Sequence, residues 1–368
     1  MKLKIVSMKI NIIKCAVALF ALCSLFYSCD DAVEVTPKYK EDYLNSNKSE
    51  EYYEALRDYK KSDHAVSFGW FGNWTGVGAS LANCMAALPD STDFISMWGG
   101  WKNPTKEMLE DLRFVQQKKG TKALVCFIIL DIGDQITPEE FAGSLESRKK
   151  YWGWIDNDKD AIEKSVRKYA NAICDTIDKY NYDGFDLDWE PSYAQPFNTS
   201  KCIVPYVDIL IDELSKRIGP DSKTGRLFVI DGEPAHSNIP NKYGTKFDYF
   251  IAQAYSCSSY SDLDNRISSV INKYRDVMPI DQIAKKFIVC ENFETYSATG
   301  GVLHYTRDGK SVESLLGMAY WNPSIDGKIY RKGGVGTFHM EYEYFLPNHA
   351  GTYPFLRKSI QIMNPNVQ

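Results

Sequence analysis

Short apolar runs alternate with longer amphipathic stretches along the chain from residue 65 onward. The runs have the length and composition of buried strands, and they lie at Ala65–Trp70, Asp93–Trp98, Ala123–Ile129, Asp183–Glu190, Leu227–Asp231, Tyr249–Tyr255, Phe287–Asn292 and Val335–Glu341. Apolar residues recur with helical spacing over Pro104–Lys119, Asp160–Tyr180, Val204–Ile218, Ser261–Met278, Ser311–Trp321 and Tyr353–Met363. This alternation predicts an α/β fold with a parallel sheet.

The number of runs favours a closed sheet over an open one. Eight strands spread over about 300 residues fit a single (β/α)8 TIM barrel better than a doubly wound sheet. No GxGxxG motif follows the first run, which also counts against a dinucleotide-binding sheet. The longest insertion, Asp131–Lys159, follows the third run. Because the functional loops of such barrels follow the strands, we expect this insertion to help wall a site.

The first 28 residues have the pattern of a secretory signal peptide. Four lysines precede an apolar run, Cys15–Tyr27, which is too short to span a membrane as a mature helix. The run ends at Ser28-Cys29, which resembles a bacterial lipobox and predicts lipidation of Cys29. We therefore expect a lipoprotein signal over 1–28, a polar tether with one short helix over 29–63, and the barrel domain over 64–368. The predicted location is the cell envelope, in the outer membrane facing the exterior.

Charge and cysteine content exclude several classes of function. Removing the four lysines of residues 1–28, a segment without acids, changes the formal net charge from −5 to −9. Such an acidic chain without a basic patch is unsuited to binding nucleic acid. The cysteines beyond Cys29 form no CxxC pair and no cluster with histidine, which speaks against a zinc site. Aromatic residues make up 14% of the chain, which suits either stacking on sugars or an aromatic core.

The fourth run carries three acids on one face. Because side chains alternate along a strand, Asp186, Asp188 and Glu190 share one side, and apolar residues occupy the other. In a barrel the acids would point into the lumen, where apolar side chains are the rule and an unpaired charge costs several kcal/mol. Crowded carboxylates cannot all ionise, so at least one pKa must rise. The pattern favours a functional site; a metal cage or an inert acid cluster is the alternative.

The same run carries a family signature. The octapeptide Asp183–Glu190 reads DGFDLDWE and matches the pattern DGxDxDxE at every fixed position, including Asp183 and Gly184. It resembles glycoside hydrolase family 18, whose (β/α)8 barrel carries this motif on the fourth strand. On the sixth run, Gln253 and Tyr255 share a face and look like the Gln-x-Tyr pair that family members use against the substrate acetamido group. The resemblance covers about residues 65–365.

The resemblance implies substrate-assisted catalysis that retains anomeric configuration. By carry-over, Glu190 is the general acid and then the base, while the nucleophile is the carbonyl oxygen of the substrate's own 2-acetamido group. Asp188 would accept the acetamido N–H, and Asp186 would share a proton with Asp188. Tyr255 would donate to the acetamido oxygen, with Gln253 beside it. Asp183 lies off the row and is expected to brace the turn. Neither a metal nor another cofactor is implied.

The family contains chitinases, endo-β-N-acetylglucosaminidases that cut the core of N-glycans, and inactive lectins. The sixth run ends Gln-Ala-Tyr-Ser, without the Asp that often follows the Tyr in chitinases. No long α+β insertion precedes the eighth run, and that run lacks the Trp common in chitinases. The chain therefore resembles a bacterial endo-β-N-acetylglucosaminidase that cleaves the GlcNAc-β1,4-GlcNAc bond. A chitinase or a non-catalytic surface glycan-binding protein are the alternatives.

Further aromatic and polar residues near the predicted strand ends are candidate glycan contacts. They are Trp70, Asn73, Trp74, Trp98, Trp101, Asp231, Glu233, Glu291, Asn292, His339 and Glu341. Core packing is the alternative for the tryptophans, and solvated or hydrogen-bonded positions at the barrel mouth are the alternative for the rest. The expected partners are an N-glycan or another GlcNAc-containing oligosaccharide, the membrane through Cys29, and other surface proteins of glycan uptake.

Overall fold

Eight parallel strands close into a barrel in the computed structural model, which describes residues 48–78, 80–193 and 200–365 together with Asp42 and Leu44. Their order around the barrel follows the chain, and the last strand pairs with both the first and the seventh. They are β1 Val66–Phe71, β2 Phe94–Met97, β3 Lys122–Ile128, β4 Gly184–Trp189, β5 Leu227–Gly232, β6 Tyr249–Gln253, β7 Phe287–Asn292 and β12 Gly334–Phe338. The predicted (β/α)8 barrel is confirmed.

Two small hairpins occupy the connection between β7 and β12. They are formed by β8 Leu303–Tyr305 with β9 Ser311–Glu313, and by β10 Ser324–Ile325 with β11 Lys328–Ile329. The predicted helix over Ser311–Trp321 consequently begins three residues late, because Ser311–Glu313 pairs as a strand. The predicted eighth strand likewise ends early, at Phe338, and Met340–Glu343 forms a 3-10 turn.

Helices surround the barrel in the described part of the chain. They are α1 Glu50–Lys61, α2 Lys106–Phe114, α3 Glu139–Ala142, α4 Leu145–Trp152, α5 Lys159–Tyr180, α6 Val207–Leu214, α7 Tyr260–Tyr274, α8 Ile280–Lys286, α9 Phe293–Tyr296, α10 Ser314–Tyr320 and α11 Pro354–Met363. The long insertion after β3 holds α3 and α4. Helix α5 begins where Asp158 accepts the backbone N–H of Ala161, as an N-cap carboxylate does. None of the described helices is long and apolar enough to cross a membrane.

The first helix packs on the floor of the barrel, where the strands begin. Tyr53 is buried there, and Nζ of Lys60 donates to the carbonyl of Thr92 at 2.6 Å and to Oγ1 of Thr121 at 2.7 Å. The helix expected within 29–63 is thus present but belongs to the folded unit. The expected signal over 1–28 and the lipidation site Cys29 lie outside the described residues.

The barrel interior is apolar below the acids. Phe94 on β2 stacks on Tyr249 on β6 across the lumen, with ring centroids 5.3 Å apart, and Phe68 packs on the same ring of Phe94. The outward residues of β4, such as Phe185 and Leu187, are fully buried in the layer beneath the helices. Each strand therefore separates two packed layers, and the acids of β4 face the inner one.

Gly184 begins β4 at a point where no side chain fits. Its φ is +147°, which L side chains rarely adopt, and a Cβ there would lie 2.0 Å from the carbonyl oxygen of Leu227 on β5. The glycine of the motif therefore has a steric cause: β4 and β5 approach each other closely at this position.

We expect Gly184→Ala to lower the free energy of unfolding by at least about 3 kcal/mol, because the new methyl group must displace strand backbone. Gly143→Ala is the matched control, since its φ is −65° and a Cβ would meet nothing within 4 Å; it should change stability by less than about 0.5 kcal/mol. Urea unfolding followed by circular dichroism measures both, and equal midpoints would contradict the steric account.

Candidate active site

The acids of β4 lie on one face, as the alternation predicted. Asp186 and Asp188 are buried in the lumen, and Glu190, just beyond the end of β4, is partly exposed. A fourth acid joins them: Asp231 on β5 is the register partner of Asp188 and is fully buried. Oxygens of Asp188, Glu190 and Asp231 all lie within 4.8 Å of one another. The site is therefore a cluster of four carboxyl groups shared by two strands.

A single amide connects two members of this cluster. Nε2 of Gln253, at the end of β6, donates to Oε1 of Glu190 at 2.6 Å and to Oδ1 of Asp231 at 2.9 Å. Two residues further on, Tyr255 lines the groove into which Glu190 and Gln253 also project. The Gln-x-Tyr pair thus faces the acid at the end of β4, as its shared face predicted.

Burial keeps protons on the inner acids. It raises the pKa of Asp186 to about 6. Burial, reinforced by the neighbouring charges of Glu190 and Asp186, holds the pKa of Asp188 well above its usual range. The pKa of Asp231 is raised for the same reasons, with burial first and the charge of Asp188 next. At neutral pH Asp188 and Asp231 therefore keep their protons, and because a neutral carboxylic acid can donate a hydrogen bond, they can donate to a neighbouring carboxylate such as Asp186.

The cluster must satisfy itself. Among the described residues, both oxygens of Asp186, Oδ1 of Asp188 and Oδ2 of Asp231 make no hydrogen bond of ordinary geometry, although Ser96, Cys126 and Trp70 lie close enough to Asp186 to oppose the rise of its pKa. A buried polar oxygen without a hydrogen bond destabilises the fold, and protons shared between neighbouring carboxyl groups reduce this destabilisation. Burial also holds the pKa of Tyr255 well above its ordinary value, so its phenol remains a hydrogen-bond donor.

Carboxylates at this spacing can also hold a metal ion. The groups Asp188, Glu190 and Asp231, and separately Cys126, Asp186 and Asp231, have ligand atoms within 4.8 Å of one another. In the first group, however, Nε2 of Gln253 donates to Glu190 and Asp231, and a hydrogen donated to these oxygens competes with a cation for them. The arrangement fits proton sharing better than cation binding.

A groove of about 740 Å³ opens above Glu190. Its walls are largely aromatic, with Trp70, Trp98, Tyr193, Tyr255 and Phe338 around Asp188, Glu190 and Gln253. A second cavity of about 600 Å³ lies beside it, formed by the loops after β2 and β3. Trp98 and Ile128 line both spaces. The two cavities therefore meet at the Trp98 indole.

The structure brings some of the other candidate contacts to these cavities. Trp70, Trp98, Glu233 and Asn292 line the groove, and Trp101 lines the second cavity while its ring stacks on Phe127 at 5.2 Å. Trp74 is not brought to either cavity, because it is buried and its Nε1 donates to Asp111 at 2.9 Å.

Two acids predicted to contact the glycan, Glu291 and Glu341, are buried and accept hydrogen bonds from backbone N–H groups. Glu291 accepts the backbone N–H groups of Ser256 and Asn292, each at 2.8 Å. Glu341 accepts the N–H of Gly72 at 2.9 Å, and it also pairs with His339 (2.7 Å) and Asn73 (3.3 Å). Both glutamates hold loops at the barrel mouth rather than face the groove.

Asp183 also has a bracing role. Its Oδ2 accepts from the backbone N–H of Ala123 at 2.9 Å and from Nε2 of Gln116 at 2.6 Å, on the floor side of β4. This is the position expected for a residue off the row.

Several residues of the site escaped sequence reasoning. Gly232 lies against the Glu190 side chain, and a Cβ there would be 2.7 Å from Cγ of Glu190. Phe338 and Tyr193 line the groove. A glycine directly after the strand-end acid Asp231 was the one signal that could have indicated a close approach; nothing in the sequence singled out the two aromatic residues.

The fold and this cluster together define a class of protein. A (β/α)8 barrel with a row of buried acids that ends in a partly exposed glutamate, under an aromatic groove, is typical of a glycoside hydrolase. The family model for glycoside hydrolase family 18, BT1044-like, matches residues 30–362. The chain belongs to this family, and the alternative of a non-catalytic glycan-binding protein is not supported.

Named relatives agree with this assignment. Endo-beta-N-acetylglucosaminidase F2 of Elizabethkingia meningoseptica is 26% identical over 324 residues, which are 83% of this chain and 84% of that protein. The solved structure of a selenomethionine-labelled glutamate-to-glutamine variant of BT1044 is 35% identical, with a TM-score of 0.71 over 86% of this chain and 93% of that one. An endo-beta-N-acetylglucosaminidase from Cordyceps militaris shares the fold at 20% identity and a TM-score of 0.59, over 87% of this chain and 98% of that one.

The raised pKa of Asp186 predicts a pH-dependent stability. Unfolded, an Asp releases its proton near pH 3.9, whereas folded Asp186 keeps it until about pH 6. Folding takes up a proton between these values, so this residue weakens the fold as pH rises through that window, by about 3 kcal/mol. Asp186→Asn should remove the penalty and gain stability at about pH 8 relative to about pH 4.

Urea unfolding of both proteins at the two pH values measures this difference. Asp276→Asn, at an exposed position after α7, is the control and should leave the pH dependence unchanged. An Asp186→Asn protein whose advantage is larger in acid than in alkali would show that the folded carboxyl group is ionised.

Proposed function

We propose that the protein releases N-glycans by cleaving the GlcNAc-β1,4-GlcNAc bond of their core, retaining anomeric configuration through substrate-assisted catalysis. The observation that carries the proposal is the contrast between Glu190 and its neighbour Asp188. Both side chains line the groove, but Glu190 is partly exposed, whereas Asp188 is buried and its pKa is raised well above the usual range. A neutral, buried acid is a poor nucleophile, so the attacking oxygen must come from the substrate.

The substrate of such a reaction carries its nucleophile with it. The carbonyl oxygen of the 2-acetamido group on the cleaved GlcNAc can reach the anomeric carbon of its own ring, at the high effective concentration of an intramolecular reaction. Glu190 donates its proton to the glycosidic oxygen as the bond breaks. After departure of the leaving sugar, Glu190 accepts a proton from the water that opens the oxazolinium ring.

Two groups in the groove are suited to the acetamido group. Asp188 accepts its N–H as positive charge develops on the nitrogen, and the proton of Asp188 passes toward Asp186 in the row. The Tyr255 phenol, kept protonated by burial, donates to the acetamido oxygen and directs it toward the anomeric carbon. Charge that develops in a site shielded from water is stabilised strongly by fixed partners of this kind.

The second cavity supports a branched substrate over linear chitin. An N-glycan divides into two arms close to the cleaved bond, and the groove and the second cavity meet at Trp98. One arm can follow the groove while the other enters the second cavity, whose lining includes Trp101 and the side-chain amides of Asn103 and Gln135. A linear chito-oligosaccharide has no branch for this space. The relative named endo-beta-N-acetylglucosaminidase F2 supports the same substrate class.

Glu190→Gln is expected to lower kcat by at least about 1,000-fold, because the amide can neither donate the acidic proton nor accept one from water. Labelled N-glycopeptides carrying high-mannose, hybrid and complex glycans are the substrates, and mass spectrometry of the released glycan is the measurement. Glu54→Gln, exposed on the floor helix α1, is the matched control and should keep normal activity.

A wild-type protein that releases none of these glycans but cleaves chito-oligosaccharides would identify a chitinase. Nuclear magnetic resonance of the first-formed product tests the stereochemistry, since an inverted anomer is incompatible with an oxazolinium intermediate.

Asn103→Trp is expected to fill the mouth of the second cavity. The bulky ring should lower kcat/KM for a branched glycopeptide at least about tenfold, whereas kcat/KM for a glycopeptide bearing only Man-GlcNAc-GlcNAc should stay within about twofold. Asn103→Ala serves as the control for loss of the amide alone. Equal losses on both substrates, or no loss on either, would show that no arm of the glycan enters this cavity.

A further inference from the structure

Asp231 is a buried acid on the strand next to the carboxylate row. It lies opposite Asp188 in the register of β4 and β5, and none of its surface is exposed. A side chain sealed in this way cannot contact a glycan hydroxyl. Its two oxygens therefore act on neighbouring protein groups, and each of them faces a different one.

One oxygen of Asp231 shares a hydrogen-bond donor with Glu190. Nε2 of Gln253 lies 2.9 Å from Oδ1 of Asp231 and 2.6 Å from Oε1 of Glu190. A primary amide carries two N–H hydrogens, so each carboxyl group receives one of them. The bond to Asp231 fixes the rotation of the amide, and with it the direction of the N–H that Glu190 accepts.

The other oxygen of Asp231 faces the acids and thiols of the lumen. In the described part of the chain, the titratable groups around Asp231 are acids, thiols and a phenol. They are Asp186 and Asp188 on β4, Glu190 just beyond it, Cys126 on β3, Cys290 on β7 and Tyr255 beyond β6. Burial raises the pKa of Asp231 well above its usual range. Its Oδ2 is the oxygen free to carry the proton, since Oδ1 accepts from Gln253.

We propose that Asp231 is a positioning residue for the reaction: through Gln253 it holds Oε1 of Glu190 as a hydrogen-bond acceptor, so that the proton that Glu190 delivers and recovers resides on Oε2. The inference rests on the proposed role of Glu190 as acid and base. The next residue serves the same end, because only a glycine at position 232 leaves room for the Glu190 side chain. Asp231 and Gly232 at the end of β5 thus determine both the position of the Glu190 side chain and which of its oxygens transfers the proton.

A double-mutant cycle between Asp231 and Gln253 tests the inference on the intact protein, with kcat and KM measured on a labelled glycopeptide. Asp231→Leu removes the acceptor, and we expect kcat to fall at least about 30-fold while KM stays within about threefold. Gln253→Leu should cause a similar loss. The double variant should lie within about threefold of the poorer single variant, because both residues act through one hydrogen bond.

The pH profile separates positioning from a purely structural role. A carboxylate that loses a hydrogen-bond donor holds its proton to higher pH, so the alkaline limb of the kcat profile should move upward in Asp231→Leu. Asp231→Asn is the conservative variant, since its carbonyl accepts from Gln253 and its NH2 replaces the protonated oxygen. It should keep kcat within about fivefold and leave the alkaline limb in place.

The inference would be overturned if the loss of kcat in the double variant equalled the product of the two single losses. It would also be overturned if the alkaline limb of the kcat profile stayed in place in Asp231→Leu. If circular dichroism shows that Asp231→Leu does not fold, Asp231→Asn and Gln253→Leu test the inference instead. A nearly normal kcat in Asp231→Asn together with a reduced kcat in Gln253→Leu supports the inference, and an equal reduction of kcat in both variants overturns it. Glu190→Gln is assayed in parallel. Its inactivity leaves the proposed function standing whatever the cycle shows, whereas full activity overturns the function and this inference together.

Discussion

Carboxyl groups that share protons inside a closed, largely apolar barrel are the constraint on which the rest of this structure depends. Beneath them the lumen is filled by rings such as Phe94 and Tyr249. Asp186 and Asp231 have no exposed surface, and in the described part of the chain neither forms an ion pair. They can be accommodated only by remaining partly protonated. Glu190 differs because it stands where the lumen meets the groove. The chemistry is consequently confined to the upper end of one strand.

The local periodicity of the sequence was sufficient to predict most of the fold and the acids at the centre of the site. Alternation along Asp183–Glu190 places three acids on one face whatever the partner strands are, and eight separated runs define a barrel by their number. Gln253 and Tyr255 were found by the same period-two rule. These predictions required only near neighbours in the chain, which is why they held without knowledge of the register.

The parts that were missed depend on contacts between distant segments. Asp231 was expected at the glycan, but pairing with β4 places it under Glu190, and register between strands is not written in either strand alone. Trp74 and Glu341 are strand-end residues like Trp70, yet both side chains turn into the protein. Trp74 donates a hydrogen bond to Asp111, and Glu341 accepts one from the backbone N–H of Gly72. The short helix expected within the tether over 29–63 is present, but its packing on the barrel was not predicted. Its partners Thr92 and Thr121 lie far away in the sequence.

The division between lumen and loops has an evolutionary consequence. The groups that act on the acid row come from within the strands, whereas the second cavity is made by the loops after β2 and β3. Insertions or substitutions in those loops can change the shape of this cavity without changing the surroundings of the buried acids. The shape of the second cavity can therefore vary independently of the pKa values inside the barrel, and Trp98, which lines both cavities, lies between the two regions.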